Sequence, residues 1–373
     1  MLTQSGCLNR QNRFRAQLGA ENIDAAVLTD YRDVYYFTGM LSAQFPIFLF
    51  LETGGGCWLA ANTDDGVSCV DDCTTYEWNK LGTMNPNILD GMNEVVAKRI
   101  QGAGAIKRLG WQAEAMPHLL KQTVDSGLQP DEWVAVDNLL RTMQSRKDPD
   151  EVALIRKSIQ ADLAAYTAVQ KAILPGENEL AVLAAGQRGA MMGAGEKVFH
   201  DGDYQCGVFN GPARNRDIEQ GEIYIVDAWT CYRGYWSDLS RAFVVGGTPT
   251  DLQQSVYDHI ASVQREVPAL LTPRTDGTEV WRALDAQIRE HPTLADTGLV
   301  HHGGHAIGLR AHEMPDLNRD RGGTLEVGNV VSVEPGGYAD ALNYGVRIEN
   351  MYLITESGAE NLSEYPMEIV PRA

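Results

Sequence analysis

With 373 residues, the chain is long enough for two domains of ordinary size, and 44% hydrophobic with 22% charged residues is the composition of a soluble globular protein. Its formal net charge is −19, from 31 Lys and Arg against 50 Asp and Glu. No Lys/Arg-rich run occurs, which argues against nucleic acid and an anionic membrane surface as partners, because both are held by basic patches.

Residues 1–15 are polar and carry Arg10, Arg13 and Arg15 without an apolar segment, so they do not read as a signal peptide. No run of 18 apolar residues is present to span a membrane. A helix is expected around 13–18 and a strand over 23–29. Two more strands are expected at 46–51 and 57–60, joined by the turn Thr53-Gly54-Gly55-Gly56. Apolar spacing at Leu89, Met92, Val95 and Val96 predicts a helix over 88–100, and strand signal returns at Trp133-Val134-Ala135-Val136. Residues 1–145 therefore read as an α/β domain. The six cysteines (Cys7, Cys57, Cys69, Cys73, Cys206, Cys231) show no disulfide spacing. Cys69 and Cys73 lack a second Cys/His pair nearby for a zinc site, so reduced thiols of a cytoplasmic protein are the better reading.

Arg146-Lys147-Asp148-Pro149-Asp150-Glu151 marks a boundary. It precedes a strong helix over 150–173, whose first turn carries acids suited to the positive end of the helix dipole. Leu174-Pro175-Gly176-Glu177 stops that helix. Further helices are expected over 179–192, 251–271 and 277–290, with β-rich segments between and after them. Residues 146–373 thus read as an α+β domain with helices packed on an antiparallel sheet.

Two hairpin-like stretches in this second domain carry acids in apolar settings. The first runs Ile223-Tyr224-Ile225-Val226-Asp227, then Tyr235-Trp236-Ser237-Asp238-Leu239-Ser240-Arg241. The second runs Val331-Ser332-Val333-Glu334-Pro335-Gly336, then Gly345-Val346-Arg347-Ile348-Glu349-Asn350. Between them lies His301-His302-Gly303-Gly304-His305-Ala306-Ile307-Gly308, followed by His312-Glu313. Like-charged carboxylates that are buried together cannot all stay ionised without a cation among them. Carboxylate oxygens with one imidazole suit divalent Mn, Fe, Co or Zn. The first hairpin would set Asp227 and Asp238 across from one another. Each half of 150–373 has helices followed by an acid-bearing hairpin, the pattern of an internal pseudo-two-fold with metal at its axis.

These residues resemble the pita-bread metallohydrolases: prolidase, aminopeptidase P, creatinase and methionine aminopeptidase. The likeness covers nearly the whole chain. Residues 22–29 with Val34-Tyr35-Tyr36-Phe37-Thr38-Gly39 resemble the start of the creatinase/prolidase N-terminal domain, and residues 147–156 the start of the pita-bread catalytic domain. The resemblance implies two divalent metal ions, Mn foremost, on Asp227, Asp238, His305, Glu334 and Glu349. It implies that His312 hydrogen-bonds the developing oxyanion or transfers a proton, and that Glu334 is a proton shuttle as well as a ligand. It also implies that His301 binds substrate and that Arg347 organises the site, although a fixed ion pair explains Arg347 equally well. A homodimer is implied too.

Two positions depart from the family. Asn210 stands where relatives carry a histidine, and it can hydrogen-bond substrate but cannot take a proton near neutral pH. Trp229 stands where relatives often have Gly, and either lines the substrate pocket or belongs to the core. His302 likewise replaces a usual Gly. The leading expectation is a dinuclear hydrolase cleaving a C–N bond, as an Xaa-Pro dipeptidase or aminopeptidase acting on a small peptide. The alternative is a non-peptidase enzyme on the same scaffold, creatinase-like, ectoine-hydrolase-like or a metal-dependent lyase, acting on a small zwitterion. A non-catalytic binding protein is a third class, but such relatives lose ligands and none is lost here.

Overall fold

The computed structural model describes residues 1–66, 69–104 and 106–372. The chain divides into two compact units, Met1–Met143 and Gln144–Ala373.

The first unit follows the order α1 (Gln4–Ala20), β1 (Ala25–Leu28), α2 (Tyr31–Thr38), β2 (Phe48–Glu52), β3 (Cys57–Ala61), β4 (Asp72–Thr75), β5 (Asn79–Lys80), β6 (Thr83–Met84), α3 (Ile88–Ile100), β7 (Arg108–Trp111), α4 (His118–Leu128), β8 (Glu132–Ala135) and α5 (Asp137–Ser145). Its mixed sheet has the order β4-β3-β2-β1-β7-β8. The β2–β3 hairpin pairs antiparallel, whereas β7 joins β1 and β8 in parallel, as connections through helices require. One core packs α3 and α4 on the sheet through Val27, Phe48, Val96, Leu109 and Val124. Helix α1 begins well before the apolar signal at 13–18, because Thr3 caps it by accepting from the Gly6 N–H. Cys69 is buried, Cys73 is half-buried, and both are free thiols.

The second unit opens with α6 (Pro149–Ala172) and α7 (Glu179–Ala194), which pack together, followed by β9 (Phe199–Asp203), β10 (Ile223–Tyr232) and β11 (Tyr235–Val244). Helix α6 starts on a capping box between Asp148 and Glu151 with Pro149 in its first turn. A second helix pair, α8 (Asp251–Leu270) and α9 (Gly277–Ile288), precedes β12 (Gly304–Ala306), β13 (Glu313–Leu317), β14 (Val330–Val333), β15 (Gly336–Ala339), β16 (Tyr344–Arg347), β17 (Asn350–Thr355) and β18 (Gly358–Asn361). The strands form sheets ordered β11-β10-β9 and β13-β12-β14-β17-β18, with β15 and β16 as a separate hairpin. Helix pair then antiparallel strands, twice over, is the repeat that the sequence suggested.

Alternation along the strands separates core from site. Tyr224, Val226, Leu239 and Phe243 pack toward α6 and α7. Ile223, Ile225, Ala242 and Val244 face the opposite way, into a core shared with α8, α9, Val331, Val333, Val346 and Ile348. Asp227 and Asp238 continue that second face. Among the described residues no helix is long and apolar enough to cross a membrane.

Candidate metal centre

The β10–β11 hairpin turns at Arg233-Gly234, both with positive φ (48° and 86°), between the paired Tyr232 and Tyr235. A two-residue turn of this kind locks the register. Asp227 then pairs with Ser240, and Asp238 with Trp229. The two aspartates are therefore diagonal neighbours on one face, not directly opposite as the sequence suggested, because the turn falls one residue later than that reading needed. Trp229 shares this face beside Asp238 and is half-buried.

In the second half the ladder breaks at the acids. Val333 pairs with Asn350 and Gly336 with Arg347, so Glu334 and Glu349 fall opposite each other in the interruption between. Pro335 has no N–H to give a ladder bond, and its carbonyl instead accepts from the Ile348 N–H at 3.2 Å. The two halves meet here, where the Glu349 N–H donates to the Ser240 carbonyl at 3.0 Å. His305 sits on β12, pairs with Ser332 of β14, and its Nδ1 lies 3.0 Å from the Ala306 carbonyl.

Donor atoms of Asp227, Asp238 and Glu349 lie within 4.8 Å of one another, as do those of His305, Glu334 and Glu349, and those of Asp238, His305 and His312. The five residues Asp227, Asp238, His305, Glu334 and Glu349 are between 1% and 9% exposed. Three carboxylate oxygens in this cluster, Asp227 Oδ1, Asp238 Oδ1 and Glu349 Oε2, are buried with no hydrogen-bond partner among the described residues. Orphaned buried carboxylate oxygens are costly. A hard divalent cation is what such a set of oxygens with one imidazole accommodates, so the residues present fit metal.

The electrostatics agree. Burial, then Asp227 and Glu334, raises Asp238 well above the usual carboxylate range. Burial, then Asp238 and Asp227, does the same to Glu349. Burial pushes Glu334 up to about 8, with Arg347 opposing. Burial, reinforced by His312, pushes His305 down to about 3, which keeps it neutral and able to ligate. Arg347, 3% exposed, places Nη2 2.8 Å from Asp227 Oδ2 and 3.7 Å from Asp203.

The remaining predicted residues surround this cluster. His312 is exposed and stacks on His305, with ring centroids 3.7 Å apart and 12° between planes. His301 has both ring nitrogens engaged, Nδ1 by the His302 carbonyl at 2.6 Å and Nε2 by the Tyr338 hydroxyl at 2.9 Å. Asn210 is exposed, and its side chain hydrogen-bonds the Asp203 carboxylate.

The sequence profile of metallopeptidase family M24 matches residues 153–356, more than half of the chain. The chain belongs to metallopeptidase family M24. The creatinase/prolidase N-terminal domain matches residues 10–145 of this M24 chain. It is 30% identical to the Xaa-Pro dipeptidase of Pyrococcus furiosus over 356 residues, covering 94% of this chain and 96% of that one. It is 26% identical to an uncharacterised peptidase of Bacillus subtilis, over 96% of this chain and 98% of the other. Among solved structures, the prolidase from Pyrococcus horikoshii superposes with a TM-score of 0.77 at 24% identity, covering 98% of this chain and 99% of that one. The Xaa-Pro dipeptidase from Bacillus anthracis superposes at 0.78 with 20% identity, covering 98% and 99%. The fold is thus the pita-bread fold with its creatinase-type N-terminal domain, and the M24 assignment makes the chain a divalent-metal hydrolase.

Sequence reasoning on this M24 site missed three neighbours. Asp203 pairs with Asp227 across β9–β10 and reaches Arg347, but a lone Asp in an irregular stretch gives no period to find it by. Tyr338 holds His301. His302 places Nδ1 3.2 Å from Glu334 Oε1, and its only sequence signal was its departure from the usual Gly.

Proposed function

We propose that this chain is a dinuclear Xaa-Pro peptidase, a dipeptidase or an aminopeptidase, with two divalent ions, Mn foremost, held by Asp227, Asp238, His305, Glu334 and Glu349. The cluster of orphaned buried carboxylate oxygens beside a neutral imidazole carries this reading. Identity of 30% with an Xaa-Pro dipeptidase along 94% of the chain supports peptide hydrolysis over the non-peptidase alternative.

When bound, the ions would supply Lewis acidity toward the scissile carbonyl and acidify a water. The protein's residues do the rest. A carboxylate oxygen of Glu334 takes the proton of the attacking water and hands it to the leaving nitrogen of proline. His312, accessible at the site but partly desolvated against its neighbours so that its pKa is lowered, is neutral, and its N–H donates to the carbonyl oxygen as negative charge develops there. Its stack on His305 fixes the plane from which it donates. Arg347 holds the Asp227 carboxylate in orientation through their 2.8 Å ion pair. His301, pinned by Tyr338, offers a ring face to the substrate, and Trp229 narrows the site on the acid face. Asn210 hydrogen-bonds substrate without exchanging a proton. The working protein is a cytoplasmic homodimer. Hydrolysis of Ala-Pro by Mn²⁺-loaded protein, followed by release of free proline, tests this function. Turnover that requires metal supports it, and fully metal-loaded protein inert to every Xaa-Pro peptide tried would overturn it.

A further inference from the structure

Arg241 lies three residues after Asp238, is 0% exposed, and among the described residues its guanidinium pairs with no carboxylate. Each of its five donors is matched to one neutral oxygen. Nε donates to the Pro366 carbonyl at 3.2 Å. Nη1 donates to the carbonyls of Ser240 and Glu349 at 2.8 and 2.6 Å. Nη2 donates to Asn350 Oδ1 at 2.8 Å and to the Tyr365 carbonyl at 3.1 Å, and the Tyr365 ring centroid is 5.6 Å from the guanidinium carbon.

Those acceptors come from three separate segments. Ser240 belongs to β11, which carries Asp238. Glu349 and Asn350 form the corner where the second acid pair leaves its ladder. Residues 365 and 366 belong to the C-terminal stretch, which runs beside β11 with the Val244 N–H bonded to the Ile369 carbonyl at 2.8 Å. The Ser240 carbonyl also accepts from the Glu349 N–H, so Arg241 and Glu349 share one acceptor. Burying a guanidinium with only neutral partners costs desolvation that an apolar side chain would avoid. A planar fork with five fixed donors, by contrast, sets three segments of the chain at one spacing.

We propose that Arg241 is a positioning residue of the metal centre, whose saturated fork sets the spacing between the Asp227/Asp238 hairpin and the Glu334/Glu349 corner. It touches no substrate. Its effect passes through the Glu349 backbone to a carboxylate that two ligand groups share. This rests on the metal-centre reading and is independent of whether the substrate is a proline peptide.

Calorimetric titration of metal-stripped protein with Mn²⁺ tests it. Arg241→Lys keeps the charge and loses the fork. Protein of this variant with wild-type circular dichroism should bind Mn²⁺ about 10- to 100-fold more weakly at one site or both, as loss of an outer-shell partner does. A purely structural arginine would lower the unfolding temperature and leave the Mn²⁺ affinity of the folded chain within threefold of wild type, which would overturn the proposal. Should Arg241→Lys not fold, Asn350→Ala removes a single acceptor and should weaken Mn²⁺ by threefold or more, and unchanged affinity there overturns it equally. Wild-type protein that binds two Mn²⁺ but cleaves no proline peptide would remove the peptidase reading and leave this one standing.

Discussion

Single residues in this protein divide into those that hold charge at the centre and those that manage charge behind it. The proposed mechanism gives Glu334 both a ligand and a proton role, so Glu334→Gln should reduce Xaa-Pro hydrolysis by more than about 10³-fold while the protein stays folded. Residual activity above a tenth of wild type would refute its role. Behind the β10–β11 hairpin, Asp162 accepts from Thr230 and Ser237 at 3.1 Å each, and His200 Nδ1 lies 3.6 Å from it. His200 also contacts Tyr204, whose hydroxyl is 2.8 Å from Nε2. Burial pushes His200 down to about 4 and Asp162 well above its usual range. A depressed histidine contributes stability that is complete above 6.5 and lost as pH falls toward 4. A raised aspartate contributes a slope of the opposite sign above its usual range, because the folded state then holds the extra proton. The two slopes oppose each other in the wild type. Asp162→Asn leaves the histidine slope alone, so its stability should fall relative to wild type between pH 6.5 and 4. Urea unfolding at several pH values measures this, and parallel curves for the two proteins would contradict it.

At the scale of elements, close backbone approach is what brings the ligands together. Gly304 has φ +143°, and a Cβ there would meet the Ser332 carbonyl oxygen at 2.0 Å. Since β12 carries His305 and β14 carries Ser332, Gly304→Ala should push the strand of His305, a proposed metal ligand, off its neighbour. We expect a loss of roughly 2 kcal/mol or more, together with weaker metal binding. Thermal unfolding with an unshifted midpoint would argue against this packing. The helices over 88–100, 149–172, 179–194 and 251–270 were legible because apolar spacing, capping acids and Pro/Gly stops agree there. The acid-bearing strands were legible from their motifs. Helix α2 gave no such signal, since Tyr35, Tyr36 and Phe37 are all buried and leave no polar face to reveal a period. The diagonal placement of Asp227 and Asp238 was not legible either. It depends on a turn at Arg233-Gly234, where an arginine takes positive φ that its sequence does not advertise.

Across the whole molecule, a net charge of −19 suits a protein that gathers divalent cations and that nucleic acid would repel. Four of its acids are packed into one buried centre with the Arg347 guanidinium as their near counter-charge. Metal should therefore stabilise the folded chain strongly. Mn²⁺ at 100 times its dissociation constant is worth about 2.7 kcal/mol per site through linkage, and should raise the unfolding temperature of wild type far more than that of Glu334→Gln. Equal shifts in the two proteins would place the stabilising ions elsewhere. The proposed ligands could be picked out over some 120 residues of sequence, whereas the residues behind them, Asp203, Tyr338 and Arg241, declare themselves only through contacts between distant segments. Elemental analysis of wild type, loaded with Mn²⁺ and desalted, addresses the centre most directly. About two equivalents per chain, falling in Asp227→Asn and Glu349→Gln, is the predicted result. Folded wild type that retains no metal would contradict a dinuclear hydrolase outright.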